Sequence, residues 1–264
     1  MEYSKNKLIM EKIRLAKYFT DCGIMSRRAA EIEIQKGFVK VNGIVAELGE
    51  KIDPEHDVVE YKGRRIKPQT LDKVCIMLNK PRGFVTTTSD EKGRSNVTEL
   101  CQIKGTNGKP LRLYPIGRLD MDSDGLLLLT NDGELANMLT HPRHNIPKIY
   151  HVTLPYLFND EELRALGQPI VINGRRTQPC RVRKVRENSQ GYNSYTVVEF
   201  ELYEGRNRQI RRMCEALGLD VARLKRTHIG SLKLGMLPQG KWRNLTEDEV
   251  HRLKVSSGMR VNKF

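Results

Sequence analysis

Three observations predict that this sequence forms an α+β protein in two parts. Residues 12–63 combine two short amphipathic helices with short strands. From Lys73 onward the pattern changes to longer strands with few helices between them. Between the two lies a polar, basic, proline-containing stretch, Gly63 to Asp72, which reads as a linker. The expected division is therefore a small front domain at 12–63, a linker at 64–72, a second domain at 73–253 and a tail at 254–264. At 264 residues the chain can bury a good core.

In the front part, residues 13–19 carry apolar groups at helical spacing and Gly23 ends the segment. Ser26 is a natural cap for a second helix that starts Arg27-Arg28-Ala29-Ala30 and stops at Gly37. Residues 38–41 then run into Asn42-Gly43, a strong hairpin turn, and residues 57–61 return before Gly63. Arg27 and Arg28 stand in the first turn of their helix, where the macrodipole disfavours cations. Free amide groups and arginines at a helix start suit phosphate oxygens.

In the second part, residues 74–78 form a buried-type strand that leads through the turn Asn79-Lys80-Pro81-Arg82-Gly83 to a strand expected at 85–88. Four consecutive leucines, 126–129, are the strongest apolar run and should be a strand buried on both faces. A short helix at 134–139, a strand at 148–154 and a capped helix at 159–166 follow. Residues 175–186 hold six cations and no acid, so one face of that strand should meet solvent or phosphate. Residues 195–203 alternate as a strand. Gly205 turns the chain into a helix at 209–217, with Ile210, Met213, Cys214 and Leu217 on one face and a stop at Gly218. Arg208 and Arg211 sit near its start.

The net charge is +14 and the pI about 9.6, which points to a polyanionic partner. No apolar run approaches a membrane span, and the first residues do not resemble a signal peptide, so a cytoplasmic protein with no membrane association is expected. Five scattered cysteines with no C-x-x-C pair suggest buried thiols rather than a zinc site or disulfides. His141 and His144 read as loop residues.

Asp120 stands just before the leucine run, at the edge of the core and beside Arg118. A carboxylate there stays ionised only if cations or hydrogen bonds offset its desolvation. Asp120, Asp122, Asp124 and Gly125 copy the opening of a calcium loop, but the twelfth position is Asn131 and not the required glutamate. Asp122 and Asp124 read as members of a solvated turn. If all three aspartates instead held a metal, a nuclease would result.

Gly117-Arg118-Leu119-Asp120, followed by Gly-Leu-Leu-Leu-Leu-Thr-Asn-Asp-Gly, resembles the pseudouridine synthases that modify ribosomal RNA, in their RsuA/RluB/RluF-type branch. Asn79-Lys80-Pro81, Lys148-x-Tyr150, Gln209-Ile210-Arg211 and Leu224-Lys225-Arg226 extend the resemblance over about residues 12 to 253. It implies a mixed, mainly antiparallel sheet with Asp120 in its central cleft as the catalytic residue. It also implies Tyr150 against the target uracil, Arg211 paired with Asp120, and Ile210 lining the site. Arg118, Leu119, Lys80 and Arg208 are expected to bind substrate, and Arg206 and Arg212 to bind RNA. Ser-Arg-Arg-x-Ala with Gly-Phe-Val-Lys-Val-Asn-Gly resembles the S4 RNA-binding domain, which implies RNA contact by Arg27 and Arg28. The implied partner is ribosomal RNA, 23S rRNA or a large-subunit precursor particle, met by a monomer that uses no cofactor and no metal; the alternatives are a non-catalytic RNA-binding ribosome-assembly factor, or a synthase acting on 16S rRNA or tRNA.

Overall fold

A computed structural model describes residues 12–68, 72–88, 90, 92–105, 108, 110–190 and 194–257. The chain falls into two compact units that divide chiefly between Asp72 and Lys73. In the first, β1 (Ile13–Arg14) leads into α1 (Leu15–Asp21) and α2 (Arg27–Gln35), and the chain continues through β2 (Val39–Val41), β3 (Ile44–Val45), β4 (Lys51–Ile52), β5 (Val59–Tyr61) and β6 (Arg64–Ile66). Ser26 caps α2 by accepting a hydrogen bond from the Ala29 amide. Arg27 and Arg28 are both exposed in its first turn. Phe19, Ala30, Val39, Ile52 and Val59 form the core of this unit.

Two expectations change here. Residues 13–14 are not helical, because Ile13 pairs with Ile52 across β1 and β4. The linker loses its first residues to the sheet: Arg64–Ile66 pairs antiparallel with β5 through the Lys62-Gly63 turn. A charged pair on an exposed edge strand looks like a linker in sequence, since only Ile66 faces inward. Residues 69–71 of the expected linker lie outside the described residues.

The second unit is organised on a mixed sheet. Its strands are β7 (Cys75–Lys80), β8 (Tyr114–Ile116), β9 (Asp124–Thr130), β10 (Lys148–Leu154), β13 (Arg181–Asn188), β14 (Tyr195–Leu202), β15 (Arg223–Ile229), β16 (Leu232–Lys233) and β17 (Trp242–Asn244); a separate hairpin pairs β11 (Val171–Ile172) with β12 (Arg175–Arg176). The order across the sheet is β13-β14-β10-β15-β9-β7-β17, with β8 added to β9 and β16 to β15. Among the described residues every strand pairing within this sheet is antiparallel except β15 with β9. Helices α3 (Gly133–Thr140), α4 (Asp160–Leu166), α5 (Gln209–Ala216) and α6 (Glu247–Ser256) pack on it.

The four leucines are buried on both faces, as a run without polar alternation requires. Leu126 and Leu128 join Leu135, Leu139 and Leu253 from α3 and α6 on one side. Leu127 and Leu129 join Ile76, Leu78, Leu113 and Leu119 on the other. The parallel contact of β9 with β15 depends on Gly125, whose φ is +108°. A Cβ there would lie 2.2 Å from the Arg226 carbonyl oxygen. That pairing sets the start of β9, and with it the loop bearing Asp120, beside β15.

The expected strand at 85–88 is reduced to an isolated bridge between Val85 and Asn96. Thr86 turns its hydroxyl to Leu119 instead of continuing a ladder. Helix α6 occupies residues that the expected tail begins within, and residues 258–264 of that tail lie outside the described residues. All five cysteines are free thiols; burial pushes those of Cys75, Cys101 and Cys214 up to about 12. Among the described residues no helix is long and apolar enough to cross a membrane.

Candidate active site

Asp120 lies in the loop between β8 and β9, and six consecutive backbone carbonyls of that loop, residues 118 to 123, each accept a hydrogen bond. Arg226 Nη1 donates to Arg118 O at 3.3 Å and Thr86 Oγ1 to Leu119 O at 2.6 Å. Asp120 O receives Lys80 Nζ at 3.0 Å and the Ser123 amide at 3.1 Å. The Gly83 amide donates to Met121 O at 2.8 Å, Arg211 Nη2 to Asp122 O at 3.1 Å, and Lys80 Nζ to Ser123 O at 2.9 Å. A loop so fastened holds one carboxylate in one place, which is the geometric condition for a catalytic group.

Lys80 is therefore no substrate ligand. It is fully buried at the end of β7, and its three ammonium hydrogens go to the carbonyls of Pro81, Asp120 and Ser123. Burial pushes its pKa down to about 8, against the pull of Asp124, Asp120 and Asp122. Its place is to hold the loop.

Asp124 is not a solvated turn residue, whereas Asp122 lies in the turn with its side chain 42% exposed and keeps part of its surface to water. Asp124 is 1% exposed and is held by Arg223, with Nη2 at 2.7 Å and Nε at 3.2 Å, and by Arg82 at 3.7 Å. Asp122 meets Arg208 Nη2 at 3.0 Å and Arg211 Nε at 3.2 Å. Although partial burial works the other way, the hydrogen bond from Arg208 and the charge of Arg211 hold the Asp122 carboxyl below the usual carboxylate range. The expected Arg211–Asp120 pair is thus replaced by Arg211–Asp122, because α5 presents Arg211 to the loop's backbone and to the next acid along. Among the described residues, the cation paired with the Asp120 carboxylate is Arg208, with Nη1 at 4.0 Å. Among the described residues no group of three acids, histidines or cysteines could hold a metal.

Arg208 is itself constrained. It is the N-cap of α5 with φ of 52° and ψ of 32°, a left-handed conformation that costs a non-glycine residue about 1 kcal/mol. The loop before it is closed by Glu204, which accepts from Gln209, Arg206 and the Gln178 amide. Arg206 also donates from Nη1 and Nη2 to the carbonyls of Arg175 and Arg176 and lines the cleft, whereas Arg212 bonds Asn207 and is not among the lining residues.

A cavity of about 640 Å³ opens over this loop. Asp120, Arg118, Leu119 and Tyr150 line it together with Ile210 and Arg208, so the structure brings most of the expected site residues to one cleft. Asp120 is about one-third exposed within it, and Ile210 is nearly buried, joining the core below. Arg27 and Arg28 belong to the first unit. Two lining residues, Lys148 and Arg226, stand within the quoted motifs but have no role assigned there. The Lys-x-Tyr spacing was the available signal, since residues two apart on a strand share a face.

Residues 74–216 match the family model described as RNA pseudouridylate synthase. An RNA pseudouridine synthase of Aquifex aeolicus (strain VF5), itself uncharacterized, is 41% identical over 253 residues, covering 95% of this chain and 97% of that protein. Ribosomal large subunit pseudouridine synthase B of Bacillus subtilis (strain 168) is 40% identical over 252 residues, covering 95% and 99%. A crystal structure of a pseudouridylate synthase superposes with a TM-score of 0.61 at 29% identity, covering 91% of this chain and 99% of that one.

Proposed function

This chain belongs to the RNA pseudouridylate synthase family, in its RsuA/RluB/RluF-type branch, and on that premise we propose that it converts one specific uridine of 23S ribosomal RNA to pseudouridine with Asp120 as its catalytic carboxylate. The observation that carries the reading is the loop of six bonded carbonyls, which presents Asp120 to a cleft shared with Tyr150.

The reaction breaks the bond from C1′ of ribose to N1 of uracil and makes one from C1′ to C5. The C5 proton leaves and N1 gains one. Nothing is oxidised or lost, so the chemistry requires no redox group. Asp120 attacks the anomeric carbon or the base, or removes a proton from the sugar. Arg208 Nη1 stands 4.0 Å from its carboxylate. Tyr150 supplies a face on which the extruded uracil stacks. Arg118 and Arg208, exposed at the rim, take phosphate oxygens. In the first unit, Arg27 and Arg28 at the start of α2 dock further phosphates in the manner of an S4 domain. The net charge of +14 supports RNA as the partner, free or within a large-subunit precursor particle.

The test is release of tritium from ribosomal RNA labelled at uracil C5, comparing the wild type with Asp120→Asn in EDTA. Release by the wild type alone is expected. Release by both proteins would remove Asp120 from the chemistry, and loss in EDTA would favour a metal enzyme.

A further inference from the structure

Lys148, the first residue of β10, shares a strand face with Tyr150, and Arg226 stands opposite Tyr150 in the β10–β15 register. Both cations line the cleft. The Lys148 ammonium is half-buried and makes no hydrogen bond or ion pair among the described residues. Burial and the nearby charge of Arg226 push its pKa down to about 8. Arg226 is 4% exposed; Nε donates to Leu126 O at 2.7 Å and Nη1 to Arg118 O, while Nη2 is buried with no acceptor. Two like charges thus lie near one another on adjacent strands, and neither makes an ion pair among the described residues. Such an arrangement lowers stability and is characteristic of sites built for a ligand's charge.

Which charge arrives there follows from depth. Phosphodiesters are the most strongly hydrated part of RNA and are met at the rim by exposed arginines, whereas the floor receives the base. An intact uridine base is neutral and gains little from two cations. When the C1′–N1 bond breaks, the electron pair stays on uracil and its charge spreads over N1, O2 and O4. A floor that favours only this species lowers the barrier rather than tightening substrate binding.

We propose that Lys148 is a further catalytic residue, which with Arg226 behind it stabilises the detached uracil as its anion. The sugar carbon is balanced by Asp120, whose carboxylate either bonds C1′ or takes the C2′ proton; both routes release the base with its electron pair. C5 of the anion then attacks C1′ as the Asp120–C1′ bond breaks, or as Asp120 returns its proton to C2′; the C5 proton leaves, N1 is protonated, and the charge on the floor is discharged. The proposal rests on the reading that uracil sits against Tyr150.

The experiment measures single-turnover isomerisation at saturating RNA for the wild type, Lys148→Met and Lys148→Arg, beside inhibition of the wild type by uracil and by 5-nitrouracil, a planar anion at neutral pH. Lys148→Met should slow turnover about 100-fold with RNA affinity unchanged, and Lys148→Arg should recover about a factor of ten. 5-Nitrouracil should inhibit at least about tenfold better than uracil on the wild type, and this preference should vanish in Lys148→Met. Lys148→Met should melt no lower than the wild type, because it removes an unpaired cation. A wild-type rate in Lys148→Met, or weaker RNA binding with an unchanged saturated rate, would overturn the proposal, the second outcome making Lys148 a phosphate contact. Equal inhibition by the two bases would also overturn it. If the wild type isomerises no uridine, the functional reading fails, and the two inhibitors, followed by direct binding, still decide the anion site.

Discussion

Replacing Lys80 by Met keeps the shape of a fully buried side chain and removes all three of its hydrogen bonds. The consequences are unequal. Asp120 O keeps its bond from the Ser123 amide, and Pro81 O lies in a partly buried place, but the bond to Ser123 O is buried and no other donor reaches it among those described. An orphaned buried acceptor costs about 1–3 kcal/mol, and two weakened ones add a smaller amount. Against this stands relief of the desolvation that pushes the lysine's pKa down to about 8. The net loss should be about 2–4 kcal/mol, or a fall of about 5–15 °C in Tm for a unit of this size. The rate should fall further than stability alone explains, by about 100-fold at a temperature where the variant is folded, because the Asp120 backbone is no longer held. Circular dichroism melting with single-turnover kinetics measures both. A Tm within about 2 °C of the wild type and an unchanged rate would refute the claim that Lys80 fastens the loop.

Local grammar was legible in the sequence. The Ser26 cap, the Asn42-Gly43 turn, the strand at Lys148–Leu154 and the α5 helix follow from rules that act within a few residues. The leucine run declared its burial because a strand with no polar alternation has no face to give to water. Partnership across the chain was hidden. Arg208, Arg211 and Arg223 meet Asp122 and Asp124 from 86 to 99 positions away, so those acids looked like an ordinary polar turn. Lys80, expected from the resemblance to bind substrate, is hidden for a related reason, since only the fold wraps it in carbonyls. The α6 start, by contrast, was written locally: Thr246 and Glu249 form a capping box.

Other outcomes follow from the same geometry. Gly125→Ala should cost more than about 3 kcal/mol or prevent folding, since its Cβ meets the backbone of Arg226 at 2.2 Å; chemical denaturation measures it. Arg208→Gly should be more stable than Arg208→Ala by about 1 kcal/mol, because both lose the pair with Asp122 but only glycine accepts φ of 52° without strain; equal midpoints in urea would count against that strain. With Lys80 and Lys148 both at about 8, the single-turnover rate should decline as pH rises through 8. Their contribution to stability has the opposite sign. Both folded pKa values lie below the ordinary 10.5, so from pH 8 to 9 the unfolded chain binds more protons and these two groups favour folding as pH rises. A rate that is flat from pH 7 to 9 while melting is unchanged would contradict a role for either charge.

The most direct test of Asp120 as the residue that modifies ribosomal RNA is a pseudouridine map of that RNA from cells whose only copy of this protein is wild type or Asp120→Asn. One pseudouridine of large-subunit RNA should be present with the wild type and absent with the variant, which should still bind RNA. Identical maps from the two strains would contradict the account.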